Sequence, residues 1–404
     1  MRILTILTWI AGLLCIATVL LDAFQTIVLP RRPQGRFRIT RIFYILTWLP
    51  WSAMTRRVQQ RKVRETLYSI YGPGSLLALL GVWAVLLLTG FALFYYALGS
   101  PFVDSMQLHG STPLRTDFYV SGTTLFTLGL GDVLPRAMKV RELVVLESGM
   151  GLGFVALVIG YLPVVYQAFA RREVAIALLD ARAGSPPTAS EILRRHSFAS
   201  VDGYPDGVGA LIVLLEEWER WSADLLESHI SYPLLCYYRS QHDNQSWLSA
   251  LVAVLDTCAL LICSVQDASA RQAQLTFAMS RHALVDLSQV FGQAPFQPSA
   301  CEDRLAGGQF EHMCEELGNA GVKLCADAEA KEKFQLFRTK YEPHACALSA
   351  YLGMPLPPFM PAKGAKDSWQ TVARARAIAK GIDPAKVQVS VESNALHHED
   401  EHGH

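Results

Sequence analysis

The chain has 404 residues, of which 51% are hydrophobic and 18% charged, with a mean hydropathy of +0.23. It is too apolar for an ordinary soluble protein of this length and too charged for one that lies wholly in a membrane, so we expect a membrane domain joined to a soluble one. The formal net charge of +0 excludes a global field that attracts nucleic acid, and no nucleic-acid partner is expected.

Three apolar runs are long enough to cross about 30 Å of hydrocarbon as helices. The first covers residues 3–29 and has no small-residue cleavage site before Pro30, which favours a retained helix (domain 1–30) over a cleavable signal peptide. The second run covers 73–98 and the third about 140–169. These runs predict a multi-pass protein of the cell (inner or plasma) membrane, with the lipid bilayer as a partner.

The orientation of the spans follows from the basic segment 31–72, whose only acid is Glu65. By the positive-inside rule this segment is cytoplasmic, so the N-terminus lies outside and the third span returns the chain to the cytosol. Within it, the apolar stretch 42–54 is too short to span. Its tryptophans favour an interfacial helix, broken near Pro50, over a short re-entrant segment.

Residues 171–354 have the composition of a soluble protein, and we expect a helical cytoplasmic domain there. The stretch "GSPPTASE" (184–191) is interpreted as a linker in which Thr188 and Glu191 form a capping box for the next helix. The apolar stretch 247–265 could span a membrane, but a central charge is costly there. We therefore favour a buried helix of the soluble domain.

The last segment, 355–404, begins with the proline-rich "PLPPFMP" and includes a short helix candidate at 367–381. Its end, "HHEDEHGH", could bind a metal loosely, although a largely disordered polar tail is the favoured interpretation. The eight cysteines form no CxxC pair or regular framework, which favours reduced, buried thiols over metal sites or disulfides.

The stretch "TLFTLGLGDVLP" (124–135) interrupts the apolar sequence between the second and third runs. Residues 117–129 can form a short helix with Asp117 as its N-cap or first-turn acid, followed by extended, glycine-punctuated backbone. At membrane depth such backbone is tolerated only where it is buried in protein or lines a water-filled path. Alternate glycines permit dihedral angles that turn successive carbonyls the same way, and such a column can replace the hydration shell of a cation. The layout is that of a pore loop.

This region, about residues 73–169, resembles the potassium channel family in its module of outer helix, pore loop and inner helix. The family pattern T-x-x-T-x-G-x-G-D is met by Thr124, Thr127, Gly129, Gly131 and Asp132. The resemblance implies an all-α integral membrane fold with three transmembrane helices and one re-entrant pore loop in a pore domain at 73–170. Since one chain supplies one pore loop and the family's filter needs four, it also implies a homotetramer.

The resemblance assigns ion coordination to the carbonyls of Thr127, Leu128, Gly129 and Leu130, with the Thr127 hydroxyl as the innermost ligand and Gly131 completing the filter. Potassium ions are the only bound species that it implies. No other metal and no cofactor are expected, and the ligand of the cytoplasmic domain is left open.

This sequence departs from the family at the brace behind the filter. The usual filter valine is Leu128, and the usual tyrosine is Leu130, whose family partner on the pore helix corresponds to Val120. Both ends of that brace are therefore apolar, which predicts a more compliant filter. We expect residues next to the filter to support it, namely Tyr119, Val120, Thr124 and Asp132, with Tyr119 close enough in sequence to reach Asp132. Glu147, about 10 Å along the third span, is expected to support the filter from behind.

The third span contains a glycine cluster and a proline, which indicate close helix packing, a hinge, or both. These gate or hinge candidates are Gly149, Gly151, Gly153, Gly160 and Pro163. One helical stripe of apolar residues is expected to line the inner cavity: Leu152, Val155 and Ile159. The intramembrane acids Glu147 and Asp22 are candidates for tuning conduction or for plain ion pairing, and Asp22 could pair with an arginine of the basic loop.

No GxGxxG, P-loop, HExxH or CxxC motif occurs in 171–404, so we expect no enzyme, and no span carries the arginine repeat of a voltage sensor. The sequence thus predicts a passive potassium-selective channel. A channel-like sensor or scaffold that signals through its cytoplasmic domain is the alternative. A secondary-transport subunit is disfavoured because that class usually carries four pore loops in one chain.

Overall fold

The structure is a computed structural model that describes residues 2–29, 38–104, 112–196, 207–241, 244–265, 270–293, 295, 303–305 and 308–362. The chain forms two compact units. Unit 1 comprises Met1–Arg171 with Glu227–Arg239, and unit 2 comprises Arg172–Leu226 with Ser240–His404. Arginines 31, 32 and 36 of the basic segment, the helix candidate at 367–381 and the histidine-rich tail lie outside the described residues.

Among the described residues, the part of unit 1 before Arg171 contains five helices and two short strands, the last helix continuing into unit 2. In chain order they are α1 (Arg2–Ala23, continued by a π-helical turn at Phe24–Val28), α2 (Ile39–Arg56), α3 (Arg61–Ala97), β1 (Phe102–Asp104), α4 (Pro113–Leu125), β2 (Val133–Pro135) and α5 (Met138–Ala183). Three described helices are long and apolar enough to cross a membrane, at Arg2–Ile27, Arg61–Ala97 and Met138–Ala183. These are the three apolar runs of the sequence.

Two of these helices are longer than their apolar cores. α3 begins at Arg61, twelve residues before the predicted start at 73, and α5 continues to Ala183, well past 170. Pro50, the predicted break in the interfacial helix, lies inside the continuous helix α2, so that prediction is wrong. Pro73, the predicted start of the second run, likewise lies inside α3. A proline removes one backbone donor and can be accommodated where tertiary packing holds the rest of the helix.

The first helix packs closely on α3 at a pair of glycines. A Cβ atom at Gly12 would lie 2.8 Å from the Gly90 carbonyl oxygen, and one at Gly90 would lie 2.6 Å from Ile16. Only glycines permit this approach, which is a common way for apolar helices to associate in lipid. The contact fixes α1 against α3.

A buried carboxylate ties the end of α1 to its neighbours. Asp22, 3% exposed, accepts hydrogen bonds from Trp83 Nε1 at 3.0 Å and from the Thr40 amide and hydroxyl at 3.0 and 2.6 Å. Arg38 lies 3.7 Å from its other oxygen, which confirms the predicted pairing with an arginine of the basic segment. Asp22 therefore serves as an anchor between α1, α2 and α3.

The two strands were not predicted, since a three-residue strand carries little periodic signal. β1 pairs antiparallel with β2, with Phe102 opposite Pro135 and Asp104 opposite Val133. The small sheet joins the chain just after α3 to the chain just after the predicted filter, so both ends of the predicted pore-loop segment are held at neighbouring points.

Unit 2 is helical in the part of the chain that the structure describes. It contains the end of α5 and α6 (Ala189–Arg195), most of α7 (Gly207–Ser231), and α8 (Trp247–Cys263), α9 (Ala270–Val290), α10 (Gln309–Asn319), α11 (Ala328–Arg338) and α12 (Glu342–Leu352). α8 is the centre of the core and is buried along almost its whole length.

The charge in the middle of α8 is neutralised inside unit 2. Asp256, 0% exposed, forms two hydrogen bonds of 2.8 Å with the Arg304 guanidinium and also accepts one from the Tyr341 hydroxyl. Arg304 in turn pairs with Glu342 and lies 4.4 Å from the centre of the Phe359 ring. Residues 247–263 therefore form a core helix of unit 2.

The predicted domain limits need three corrections. Residues 227–239 belong to unit 1 rather than to the segment 171–354. The proline-rich start of 355–404 packs into unit 2, where Phe359 is 1% exposed. The expected linker at 184–191 is a largely buried turn that leads into α6. Thr188 caps α6 as predicted, by accepting a hydrogen bond from the Glu191 amide. The Glu191 carboxylate accepts from Arg194 and Arg195 and not from the Thr188 amide, so the reciprocal bond of the capping box is not formed.

Candidate functional site

The predicted pore-loop segment begins with α4, whose bounds differ from the prediction. α4 starts at Pro113, a residue whose fixed φ suits the first helical position, and ends at Leu125, whereas the sequence favoured a helix over 117–129. Asp117 therefore lies one turn inside α4 instead of at its N-cap. It is 0% exposed and accepts a hydrogen bond from Ser100 Oγ at 2.6 Å.

The backbone after α4 alternates between two conformations. Thr127, Gly129 and Gly131 have positive φ values of 56°, 53° and 75°, while Leu128 and Leu130 between them do not. Glycine adopts this region readily, but for the β-branched Thr127 it is an outlier of the kind found at functional sites. Alternation with a period of two residues is the arrangement that turns successive carbonyls the same way.

The amides of this stretch are directed back to α4. Leu128 N and Gly129 N both donate to the Thr123 carbonyl, at 2.7 and 3.3 Å, and Thr127 N donates to the Thr124 carbonyl at 3.0 Å. Thr124 therefore contacts this stretch through its backbone carbonyl, and its role in supporting a filter stays a prediction. The side chains of Leu128 and Leu130 are 63% and 64% exposed in the single chain.

A polar contact holds the far end of the same stretch. The Tyr119 hydroxyl donates to Asp132 Oδ2 at 2.6 Å, which confirms that Tyr119 reaches Asp132. Val120 on the next position is only 5% exposed within its own chain, so it faces the interior of unit 1. An apolar pairing of Val120 with Leu130 stays a prediction.

A second buried carboxylate joins the three helices around the pore loop. Glu147 of α5, 0% exposed, accepts hydrogen bonds of 2.5 Å from Tyr95 Oη of α3 and from Ser121 Oγ of α4. Ser121 Oγ also lies 2.9 Å from the Leu88 carbonyl oxygen, an alternative acceptor for its single proton. The sequence singled out Glu147 but not its partners, because hydroxyl groups spaced 26 and 52 residues away carry no local signal.

One glycine of α5 is distinguished from the others by its surroundings. A Cβ atom at Gly151 would lie 2.0 Å from the Leu125 carbonyl oxygen, at the end of α4. The same atom at Gly149, Gly153 or Gly160 would meet nothing within 4 Å in the chain. Gly151 is therefore a packing residue between α5 and the start of the filter segment.

The remaining gate and cavity candidates lie on a continuous helix. α5 is continuous through Pro163, so the predicted hinge at this residue does not end the helix. Leu152, Val155 and Ile159 are 65%, 43% and 67% exposed in the single chain, which leaves this apolar stripe uncovered by unit 1.

No group of three or more His, Cys, Asp or Glu among the described residues could hold a metal ion. The seven described cysteines are free thiols. In unit 2, burial raises the pKa of Cys263 and of Cys314 to about 11 each, so both remain protonated near neutrality.

Residues 82–168 match a family described as ion channel. The matched region runs from the middle of α3 to the middle of α5 and includes α4 and the alternating backbone. No curated protein and no solved structure matches the chain. The family match supports a channel function and a multi-pass membrane setting for unit 1.

Proposed function

We propose that four copies of this chain assemble into a passive, potassium-selective channel, with the carbonyls of residues 127–130 lining a filter on the fourfold axis. The alternating backbone conformation at Thr127, Gly129 and Gly131 carries this proposal. It lies inside the region matched by the ion channel family, and directly after a short helix placed between two long apolar ones.

The chemistry of such a filter follows from its carbonyl groups. A column of carbonyl oxygens can replace the water shell of a potassium ion, and no reaction is catalysed. The amides of Leu128 and Gly129 donate hydrogen bonds to the Thr123 carbonyl, so these donors are satisfied away from the proposed ion path. The Thr127 hydroxyl supplies the innermost ligand of the proposed site.

The tetramer is supported by the surfaces that one chain leaves uncovered. Leu128 of the proposed filter and Leu152 and Ile159 of α5 are each more than 60% exposed in the single chain, although all three are apolar. In a fourfold assembly the α5 stripes face one another below the filter and form the inner cavity. An apolar constriction in that cavity, near the bend at Pro163, gates by excluding water.

We further propose that the protein lies in the cell membrane, with its N-terminus outside and unit 2 in the cytoplasm. The basic residues between α1 and α3 support this orientation, because cytoplasmic loops carry an excess of Lys and Arg. Cysteine labelling of intact cells at Gln34 and Ser111 tests it. Labelling of position 34 from outside with position 111 protected contradicts the orientation and the pore assignment together.

The deciding experiment is a planar-bilayer recording of the purified full-length chain with potassium and sodium on opposite sides. We expect currents whose reversal potential follows the potassium gradient. Discrimination against sodium should be weaker than in channels that have a tyrosine where this chain has Leu130. Thr127→Ala should weaken the innermost ion site. Failure of the well-folded wild-type tetramer to conduct would exclude the channel and leave the sensor or scaffold function.

A further inference from the structure

Residues Tyr232–Arg239, which we call the docking segment, belong to unit 1 although the chain on both sides of Glu227–Arg239 belongs to unit 2. The segment consists of a 3-10 helix, Pro233–Tyr237, with one residue before it and two after. Its central residues, from Leu234 to Tyr238, are all buried. The segment is therefore part of the packing of unit 1 and is covalently continuous with unit 2 at both of its ends.

The first part of its surroundings is an aromatic cluster on α2 and α3. The Tyr237 ring stacks on Tyr44 with the centroids 5.3 Å apart and the planes at 6°. The same ring lies 4.8 Å from Trp48 and 5.4 Å from Tyr71. Aromatic pairs in such geometries contribute beyond the area they bury, so Tyr237 is the main anchor of the segment.

The next two residues continue the fit along α3. Tyr238 lies so close to Gly72 that a Cβ atom there would be 2.8 Å from its ring. The Arg239 guanidinium lies 4.4 Å from the centre of the Tyr68 ring and 3.9 Å from Glu65. A glycine, a tyrosine face and a carboxylate, each one helical turn from the next, therefore match the end of the docking segment.

The remaining contacts are to α5 and lie on both sides of Pro163. Tyr232 packs on Tyr161, with centroids 5.8 Å apart, before the proline. Tyr238 packs on Tyr166 and Phe169, at 6.3 and 5.5 Å, after it. Bending of α5 at Pro163 would move these two groups of α5 rings relative to each other, so the docked segment favours the α5 conformation in which both contact groups are kept.

We propose that the inner end of unit 1 is a receptor surface for the docking segment, and that the docked segment sets the bend of α5 at Pro163. Because the chain on both sides of it is part of unit 2, a rearrangement of unit 2 pulls directly on these contacts. The docking segment is thus the element by which unit 2 controls the inner helix. Its effect on ion conduction rests on the proposed channel function, but its effect on the conformation of α5 does not.

Two glycines two residues apart on α3 provide a matched test. In Gly72→Ala the new methyl group meets the Tyr238 ring at 2.8 Å, whereas in Gly74→Ala it meets only Ile70, at 4.0 Å. Both changes add the same methyl group to the same helix. Tyr238→Ala is the complementary variant, because it removes the ring from the segment itself.

The full-length wild type and the three variants are reconstituted in lipid nanodiscs, and amide hydrogen exchange is followed in residues 232–239 and 159–169. For Gly72→Ala and Tyr238→Ala we expect exchange at least about threefold faster in both regions, and wild-type rates for Gly74→Ala. Potassium flux in liposomes is measured on the same four proteins. The ratio of open to closed channels should shift about tenfold, or about 1.4 kcal/mol, in the two docking variants only.

The outcomes separate the inference from the proposed function. Faster exchange of 232–239 with unchanged exchange of 159–169 overturns the inference, because the segment has then been released without effect on α5. Unchanged exchange of 232–239 in both docking variants also overturns it, since docking then does not depend on these contacts. Absence of flux from the folded wild type refutes the channel alone, and the exchange result still decides the inference.

Discussion

The contact between Gly151 and the end of α4 makes α5 a direct neighbour of the backbone that leads into the proposed filter. A Cβ atom at position 151 would lie 2.0 Å from the Leu125 carbonyl oxygen, while ordinary contact begins at 3.4 Å. The difference, 3.4 − 2.0, means that α5 and the end of α4 must separate by about 1.4 Å in Gly151→Ala. Forced insertion of one methyl group into a packed site costs about 1–3 kcal/mol.

The displaced backbone immediately precedes the proposed filter. Leu125 lies two residues before Thr127, and a shift of about 1 Å at a site that must coordinate an ion is enough to disturb its function. We expect Gly151→Ala to reduce potassium flux in liposomes at least about tenfold and to lower the potassium-to-sodium permeability ratio. The thermal midpoint of the tetramer should fall at the same time.

Gly153→Ala is the control, because the same methyl group meets nothing within 4 Å there. In a helix interior the change from glycine to alanine is intrinsically favourable by about 1 kcal/mol, and this term is shared by both variants. The difference between them therefore isolates the contact with Leu125. Equal flux and equal selectivity in the two variants would refute the conclusion that α5 supports the filter through Gly151.

Three further predictions test the other contacts. Tyr119→Phe removes the hydroxyl that donates to Asp132, and since Tyr119 is 39% exposed we expect a loss of only about 1 kcal/mol in stability. The potassium-to-sodium permeability ratio, measured from reversal potentials, should fall as well. An unchanged ratio contradicts a bracing role. Glu147→Gln keeps an acceptor oxygen for the Tyr95 hydroxyl, whereas Glu147→Leu removes it. Because Ser121 can still donate to the Leu88 carbonyl, Glu147→Leu leaves one buried hydroxyl unsatisfied and should destabilise the protein by about 1–3 kcal/mol, so equal thermal midpoints for the two variants count against this contact. Arg304→Met leaves Asp256 buried without its cation and should destabilise unit 2 by about 3–5 kcal/mol, measured by tryptophan fluorescence in denaturant. Asp256→Leu combined with Arg304→Met should recover much of that loss. A single variant with wild-type stability contradicts the structural role of the pair.

The parts of the fold that the sequence predicts are those with a local physical cause. Long apolar runs gave the three spans because hydrophobic length is a property of consecutive residues. The contact between Tyr119 and Asp132 was also predictable, since both residues are placed by one helix and the loop that directly follows it. The burial of 247–263 could be anticipated from its central acid, which is costly in lipid.

The features that the sequence does not predict depend on contacts between distant residues. Gly149, Gly151, Gly153 and Gly160 are equivalent in the sequence pattern, and only the position of Leu125 separates Gly151 from the others. The return of residues 227–239 to unit 1 is of the same kind, because an apolar, tyrosine-rich turn suits the core of either unit. Helix ends beyond an apolar core are likewise set by packing and not by hydropathy, as α3 and α5 illustrate.

The backbone of the filter segment is held by its surroundings and not by its own preferences. A β-branched residue with the φ of Thr127 costs about 1–3 kcal/mol. The hydrogen bonds from the Leu128 and Gly129 amides to the Thr123 carbonyl contribute about 0.5–1.5 kcal/mol each, which is enough to offset that cost only while α4 keeps its position. Gly151 sets that position from α5, and Tyr119 fixes the far end through Asp132. The strained conformation and the packing of three helices are therefore one structural property, and a change on α5 acts on the proposed ion path without touching it.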